Sequence, residues 1–294
     1  MKDHRIAIIG SSGYIGRNLL SKLRLHRNEV VEIADPSESM IDNKYSLESL
    51  VNKLNGISVV IHLASTTNPL ISYNDPHLEF DNIQFTLLLI DACSVLGIKD
   101  LIFASSGGTV YKNSNSSHTE DGFIDPISPY GIGKIISENC LKLFAKKTGA
   151  NVSVLRISNL FGPNQSSKKG QGVIPYIINC IRSDETVILY GNTVRDYIYI
   201  DDLVCAFEHA LKQNIGFNIY NIGSGVGTSL SKLSELISKT LSTKVKLTIN
   251  PIRDFDIEHN VLDCRKADKN LGWRTRYTLE SALSHYLLSN NEET

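Results

Sequence analysis

Hydrophobic and polar positions along this chain follow two periods in alternation. Ile6 to Ile9 is a short β-branched run, Leu19, Leu20 and Leu23 then recur at helical spacing, and three glycines lie between them. That order predicts strand, tight turn, helix. Glu29 to Asp35 reads as the next strand. Leu47, Leu50, Val51 and Leu54 mark a helix ended by Gly56, and Val59 to Ala64 is a continuous apolar run of the kind found in buried parallel strands. Leu78 to Leu96 predicts a long helix closed by Gly97, and Leu101 to Ser105 the strand after it. A helix opened by Ser128 and Pro129 and ended by Gly149 leads to a strand over Val152 to Ile157. Residues 65–76 and 112–119 are polar and read as loops, and a strand near Asp42 and Asn43 would have to be very short. Strands alternating with helices predict an α/β fold built on a doubly wound parallel sheet.

Beyond Ile157 the pattern is mixed. Gly172 to Asp184 looks helical, Thr186 to Tyr190 and Val194 to Ile200 look like strands, and Asp201 or Asp202 is placed to cap a helix over Leu203 to Leu211. Phe217 to Ile222 and Val245 to Ile249 are two further strand-like runs flanking a helix that starts at Ser229. No internal repeat, low-complexity tract or clean linker interrupts the chain, so a second lobe would be assembled from separated segments.

Composition narrows the possible partners. The 294 residues are 41% hydrophobic and 21% charged with a formal net charge of -1, which lacks the basic excess that nucleic acid attracts. Asp91 breaks the apolar stretch from Thr86 to Cys93, and no run is long enough to span a bilayer; we expect a cytoplasmic protein with no nucleic-acid or membrane partner. Cys93, Cys140, Cys180, Cys205 and Cys264 are scattered, odd in number and never in C-x-x-C spacing. Neither a disulfide framework nor a metal site is indicated.

The candidate chemistry begins in the first turn, Gly10-Ser11-Ser12-Gly13-Tyr14-Ile15-Gly16. Gly10 permits a sharp exit from the strand, Gly13 lets backbone approach a pyrophosphate, and Gly16 lets the helix lie against the sheet, with the positive end of the helix dipole aimed at the anion. Asp35 ends the next strand at the distance where a dinucleotide-binding unit hydrogen-bonds the adenosine ribose, and its charge favours NAD over a 2′-phosphorylated cofactor. The bland alternative is a turn residue before Pro36. His62 is expected to be a packed strand-end residue. Tyr130 and Lys134 are four apart in Ser128-Pro129-Tyr130-Gly131-Ile132-Gly133-Lys134 and so share one helical face. A phenol beside an ammonium is a plausible general base and acid, with the ammonium and a positively charged nicotinamide together expected to draw the phenol toward the working pH. Taken alone, such a pair also occurs as a plain surface feature.

In order along the chain, GSSGYIG (10–16), Asp35, HLAS (62–65), SSGGTVY (105–111), SPYGIGK (128–134), RISNLFGP (156–163), VRDYIYIDD (194–202) and KADKNLGW (266–273) resemble the signatures of the extended short-chain dehydrogenase/reductases. The resemblance is strongest to the NAD-dependent epimerase/dehydratase type, UDP-glucose 4-epimerase-like, and it covers nearly the whole chain. It implies a Rossmann-like NAD-binding domain over residues 1–158 plus about 193–222. A smaller α/β nucleotide-sugar lobe would comprise 159–192 and 223–294. NAD would lie on Gly10, Ser12, Gly13, Tyr14, Ile15, Gly16, Asp35, Asp42, Leu63, Ala64, Ser65, Asn82, Ser105, Tyr130 and Lys134. Tyr130 would act as the base in a transient oxidation at C4 of a UDP-sugar. Ser106, Asn159, Val173, Tyr190, Arg195, Arg253, Asp256 and Asn260 would hold that substrate, with Asn260 at a wall position that could admit an N-acetyl group. A homodimer is also implied.

The chain departs from the family pattern in three places. The usual active-site Ser or Thr falls on Gly107, so its hydroxyl role passes to Ser106 or Thr109 or is absent. Phe85 replaces a glycine in the motif Asn82-Ile83-Gln84-Phe85-Thr86, and Lys112 replaces the glycine after Tyr111. Gly107-Gly108-Thr109 also offers no extra acid for dehydration, which favours epimerisation. A nucleotide-sugar 4-ketoreductase or dehydratase of the same family and a non-catalytic NAD-binding regulatory or scaffold protein are the alternatives.

Overall fold

The computed structural model describes residues 5–25, 29–33, 40–41, 44–165, 172–213, 215–254 and 256–289. In chain order the elements are β1 (Arg5–Ile9), α1 (Tyr14–Leu25), β2 (Glu29–Ile33), β3 (Met40–Ile41), β4 (Lys44–Tyr45), α2 (Leu47–Leu54), β5 (Val59–His62), α3 (Pro69–Asn74), α4 (Leu78–Leu96), β6 (Asp100–Ser106), α5 (Pro129–Thr148) and β7 (Asn151–Ile157). There follow β8 (Asn159–Phe161), α6 (Val173–Arg182), β9 (Thr186–Tyr190), β10 (Val194–Tyr199), α7 (Ile200–Lys212), β11 (Phe217–Ile222), β12 (Gly227–Ser229), α8 (Leu230–Thr240), β13 (Lys246–Asn250), β14 (His259–Asn260), α9 (Arg265–Leu271) and α10 (Leu279–Ser289). These form two compact units. Unit 1 comprises Met1–Ser106, Ser128–Arg156 and Val204–Tyr220, and unit 2 comprises Gly107–Ile127, Ile157–Leu203 and Asn221–Thr294.

Unit 1 is built on a six-stranded sheet of order β11-β7-β6-β5-β1-β2. β1 pairs in parallel with β2 (Ile6↔Val30, Ile9↔Ile33) and with β5 (Ile6↔Val59, Ile9↔His62), and β5 pairs in parallel with β6. The direction of winding reverses between β1 and β5, which makes the carboxyl ends of those two strands the crevice where such sheets take ligands. Strands this deeply buried need apolar side chains on both faces, which is why Ile6 to Ile9 and Val59 to Ile61 carry no charge. Leu50 and Leu54 of α2, Phe85, Leu89, Ala92 and Cys93 of α4, and Leu141, Phe144 and Ala145 of α5 complete one core with them.

Caps fix the helix ends. Ser128 accepts from the backbone of Gly131, Pro129 occupies the first turn of α5, and Gly149 at φ 69 ends it. The loop expected over 65–76 contains a helix, α3. Asn68 caps it by accepting from Ile71 N at 2.9 Å, and Pro69 presets its first φ. The short strand expected near residue 42 is a two-residue antiparallel hairpin, β3 with β4, outside the main sheet.

Unit 2 is organised around β10, which pairs in parallel with β8 and β14 and antiparallel with β12; β9 and β13 form a separate parallel pair. The fully buried Asp196 accepts from Ser224 N and Oγ at 2.7 Å, Gly225 N at 3.0 Å and Leu262 N at 3.3 Å. A side chain at Gly223 would meet the Asp196 carboxylate at 2.4 Å, so that residue stays glycine. The cap expected from Asp201 or Asp202 is different in kind. α7 begins at Ile200, and Asp202 sits inside its first turn with its carboxylate turned to Thr275 Oγ1 and to the backbone of Arg276 and Tyr277. The buried carboxylate clamps the segment before α10 because those backbone N–H groups have no strand partner to satisfy them.

Candidate active site

The glycine turn is a close-packed bend. Gly10 has φ +85, its N–H donates to Ile33 O at 2.8 Å, and an added Cβ would lie 2.8 Å from Ala64 N. At Gly16 a Cβ would meet Gly10 O at 2.3 Å and Ser11 Cα at 2.6 Å. Helix α1 starts at Tyr14, so the positive end of its dipole lies at this bend, with Ser12 and Gly13 exposed and Tyr14 and Ile15 half-buried beside them. Ser11 Oγ is buried with no hydrogen-bond partner among the described residues. A bare backbone, a dipole and a spare hydroxyl fit a dinucleotide pyrophosphate. Asp35 and Asp42 lie outside the described residues.

Leu63 and Ala64 follow β5 at the same sheet edge, where Leu63 N donates to Ile9 O at 2.9 Å. Asn82 on α4 holds the next loop: its Oδ1 accepts from Thr66 N at 2.9 Å, and its Nδ2 donates to Thr67 Oγ1 at 2.9 Å. Ser65 Oγ donates to Thr67 O at 3.2 Å. Asn82 and Ser65 therefore shape the loop.

Tyr130 and Lys134 rise from the first turns of α5. Tyr130 N donates to Ser72 Oγ of α3 at 3.1 Å, which ties the start of the helix to its neighbour. Lys134 is buried; its Nζ donates to Ala104 O at 3.1 Å, lies 5.4 Å from the Tyr130 ring centroid and 5.0 Å from that of Phe103. Burial pulls this ammonium down to about 8 against the opposing pull of Glu79 and Glu138. Burial, and then the Glu79 carboxylate, push Tyr130 up.

Ser105, at the end of β6, donates to Glu138 Oε1 at 2.5 Å, and Glu138 is held in turn by Arg156 of β7 through Nε–Oε1 at 3.0 Å and Nη2–Oε2 at 2.6 Å. Its hydroxyl is thus committed to a buried ion pair. Ser106 is half-buried at the strand end. In unit 2, Gly107 N donates to Ile157 O at 2.8 Å, and Thr109 Oγ1 is buried without a partner among the described residues.

Unit 2 gathers the other predicted residues on and around β10. Register places Asn159 beside Tyr197 and Arg195 beside Asn260, so four polar side chains share one face of β8, β10 and β14. Asn159 Nδ2 donates to Asp196 O at 3.2 Å. Arg195 Nη1 donates to Val194 O at 3.1 Å, and burial lowers the guanidinium's proton affinity. Asn260 is fully buried, yet neither Oδ1 nor Nδ2 has a partner among the described residues; Tyr197 Oη is in the same condition. Arg253 stacks 5.1 Å from the Tyr190 ring centroid and pairs with Asp256 at 2.6 and 3.1 Å. Val173 opens α6, half-buried.

Residues 6–223 match the model of the NAD dependent epimerase/dehydratase family. The chain belongs to that family. A dTDP-4-dehydro-6-deoxyglucose reductase from Escherichia coli is 32% identical over 98% of both chains. A UDP-glucose 4-epimerase from Thermotoga maritima, solved with UDP-glucose, superposes with a TM-score of 0.89 at 29% identity, covering 98% of this chain and 99% of its own. The Thermus thermophilus UDP-glucose 4-epimerase complexed with NAD gives a TM-score of 0.88 at 25% identity, covering 99% and 100%. As a family member this enzyme uses NAD, and the glycine bend of unit 1 suits it. Sequence reading missed Ser72, Glu79, Glu138 and Arg156. Ser72 falls in a segment that reads as a loop, and Glu79, Glu138 and Arg156 lie on helices or a strand where period alone assigns them to structure; only the fold brings Ser72 to Tyr130, Glu79 and Glu138 to Lys134, and Arg156 to Glu138.

Proposed function

We propose that this enzyme is an NAD-dependent UDP-sugar 4-epimerase. The observation that carries the reading is the pairing of Tyr130 with the buried Lys134 on α5 in the unit whose first turn is the glycine cradle. NAD, when bound, supplies an acceptor that takes a hydride and returns it. Gly10, Gly13, Gly16 and Ala64 would line the cofactor, with Gly13 at its pyrophosphate, and Lys134 would offer donors to its ribose. Tyr130 removes the proton of the sugar's 4-hydroxyl as C4 is oxidised and gives it back after the 4-keto sugar turns over. Ser106 or Thr109 supplies the hydroxyl that Gly107 lacks.

Unit 2 holds the nucleotide. Tyr190 packs on the uracil, Arg195 and Arg253 bind the pyrophosphate, and Asn159, Val173 and Asp256 support them. An unpartnered buried amide costs ~1–3 kcal/mol, so the orphan amide of Asn260 and hydroxyl of Tyr197 are best explained by a polar ligand. Asn260 in that place also leaves room for an N-acetyl group. α4 and α5 pack on each other and expose Leu87, Val95, Ile132, Ile136 and Leu143, a surface that supports a homodimer. The protein incubated with UDP-glucose, UDP-galactose and their N-acetylated counterparts, without added cofactor, should yield C4 epimers. No epimer from any of the four overturns the reading.

A second reading, a nucleotide-sugar 4-ketoreductase, is favoured by the 32% identity to the E. coli reductase. It requires one equivalent of NAD(P)H per turnover. Epimerisation consumes none, so absorbance of the reduced cofactor separates the two.

A further inference from the structure

α5 carries a notch opposite a buried carboxylate. A Cβ built at Gly133 would lie 2.3 Å from Glu79 Oε1, 2.5 Å from its Cγ and 2.7 Å from its Cδ, so the carboxyl group of α4 occupies the place where every other residue would have a side chain. Gly133 is neighbour to Lys134 and three residues after Tyr130, on the helical face those two share. Glu79 is 4% exposed, and its Oε2 accepts a hydrogen bond from Thr67 Oγ1, which Asn82 Nδ2 in turn supports. A buried acid is rarely kept without a partner of opposite charge. No ion pair links Glu79 to a base among the described residues; its field falls on Tyr130 and Lys134.

We propose that Glu79 is a positioning residue for the Tyr130–Lys134 pair: its carboxylate, seated in the notch that Gly133 leaves in α5, is the fixed negative charge against which phenol and ammonium are balanced. The inference deepens the proposed function, since it assumes Tyr130 is the base of that reaction. Two observations converge on it. Helix geometry gives up a side chain to admit the carboxyl, and the carboxylate holds the phenol's proton on while holding the ammonium charged. The other charged or titratable groups around the pair are His62 of β5, Glu138 of α5 and Arg156 of β7. Glu138 is paired with Arg156 and acts on Lys134 but not on Tyr130, and His62 is held uncharged by burial. Burial pushes the Glu79 carboxyl up, against Thr67, Lys134 and Asn82, and Glu79 is the acid among them whose charge acts on both phenol and ammonium.

The test reads the phenol directly. Ultraviolet titration of the full-length protein, with its Tyr130→Phe counterpart subtracted, follows Tyr130 whether or not any sugar reacts. Glu79→Gln keeps the shape and removes the charge; the Tyr130 titration should shift to lower pH, and the acid limb of kcat/KM should shift with it. Gly133→Ala, which displaces the carboxyl from the notch, should shift the titration in the same direction. An unmoved titration in both folded variants overturns the proposal. Loss of fold in Glu79→Gln overturns it as well, because the role is then structural. Absence of turnover in the wild type with a shifted titration sinks the epimerase reading and leaves standing the balance of Glu79 against Tyr130 and Lys134.

Discussion

Arg156 and Glu138 face each other through two hydrogen bonds, at 3.0 and 2.6 Å, with both side chains 4% exposed. The pair joins β7 to α5 one turn beyond Lys134 and takes up the hydroxyl of Ser105. Removing one partner strands the other charge in the core. Arg156→Met is expected to cost ~3–5 kcal/mol, read from the midpoint of urea unfolding. A loss below about 1 kcal/mol would mean the carboxyl finds another partner.

Tyr130→Phe tests the base itself. Turnover should fall by about 10²- to 10⁴-fold, the usual contribution of a positioned acid or base, with NAD content unchanged. Wild-type turnover would remove Tyr130 from the reaction.

Gly10→Ala tests the cradle. The residue has φ +85, and its new methyl would press on Ala64 N at 2.8 Å. Strain on the order of 1–3 kcal/mol follows, and NAD retained through purification should drop. Full retention of NAD would place the pyrophosphate elsewhere.

His62 sets an acid limit on stability. It is buried, bonded to Thr86 Oγ1 at 3.1 Å and flanked by Phe85 and Phe103, and burial together with Lys134 lowers it to about 3. The unfolded chain binds a proton near 6.5, whereas the folded chain resists until about 3. Its stabilising share is therefore full above about pH 6.5 and is lost as pH falls toward 3. In His62→Asn the unfolding free energy should decline less steeply between pH 6.5 and 4 than in the wild type.

The apolar residues exposed on α4 and α5 give a fifth measurable outcome. Ile136→Glu combined with Leu143→Glu places two charges on that surface and should convert a dimer to a monomer by light scattering. An unchanged mass would assign the surface to something other than self-association.

The sequence by itself determined the alternation of strands and helices that a parallel sheet needs, the glycine turn and the Tyr130–Lys134 pairing, because each is written in local spacing. Ile6 to Gly16 needs only its own spacing to specify strand, turn and helix, and a separation of four residues on α5 guarantees a shared face. Tertiary structure alone decided what surrounds that pair. Glu79 and Gly133 are 54 positions apart and Glu138 and Arg156 are 18 apart, and neither pairing has a period to announce it. The same holds for Asp202, whose place in the first turn of α7 suggested a cap until the Thr275 hydroxyl and the backbone of Arg276 and Tyr277 claimed its carboxylate. The upward shift of Tyr130 also lay beyond spacing, since burial and the approach of Glu79 are properties of the packed fold.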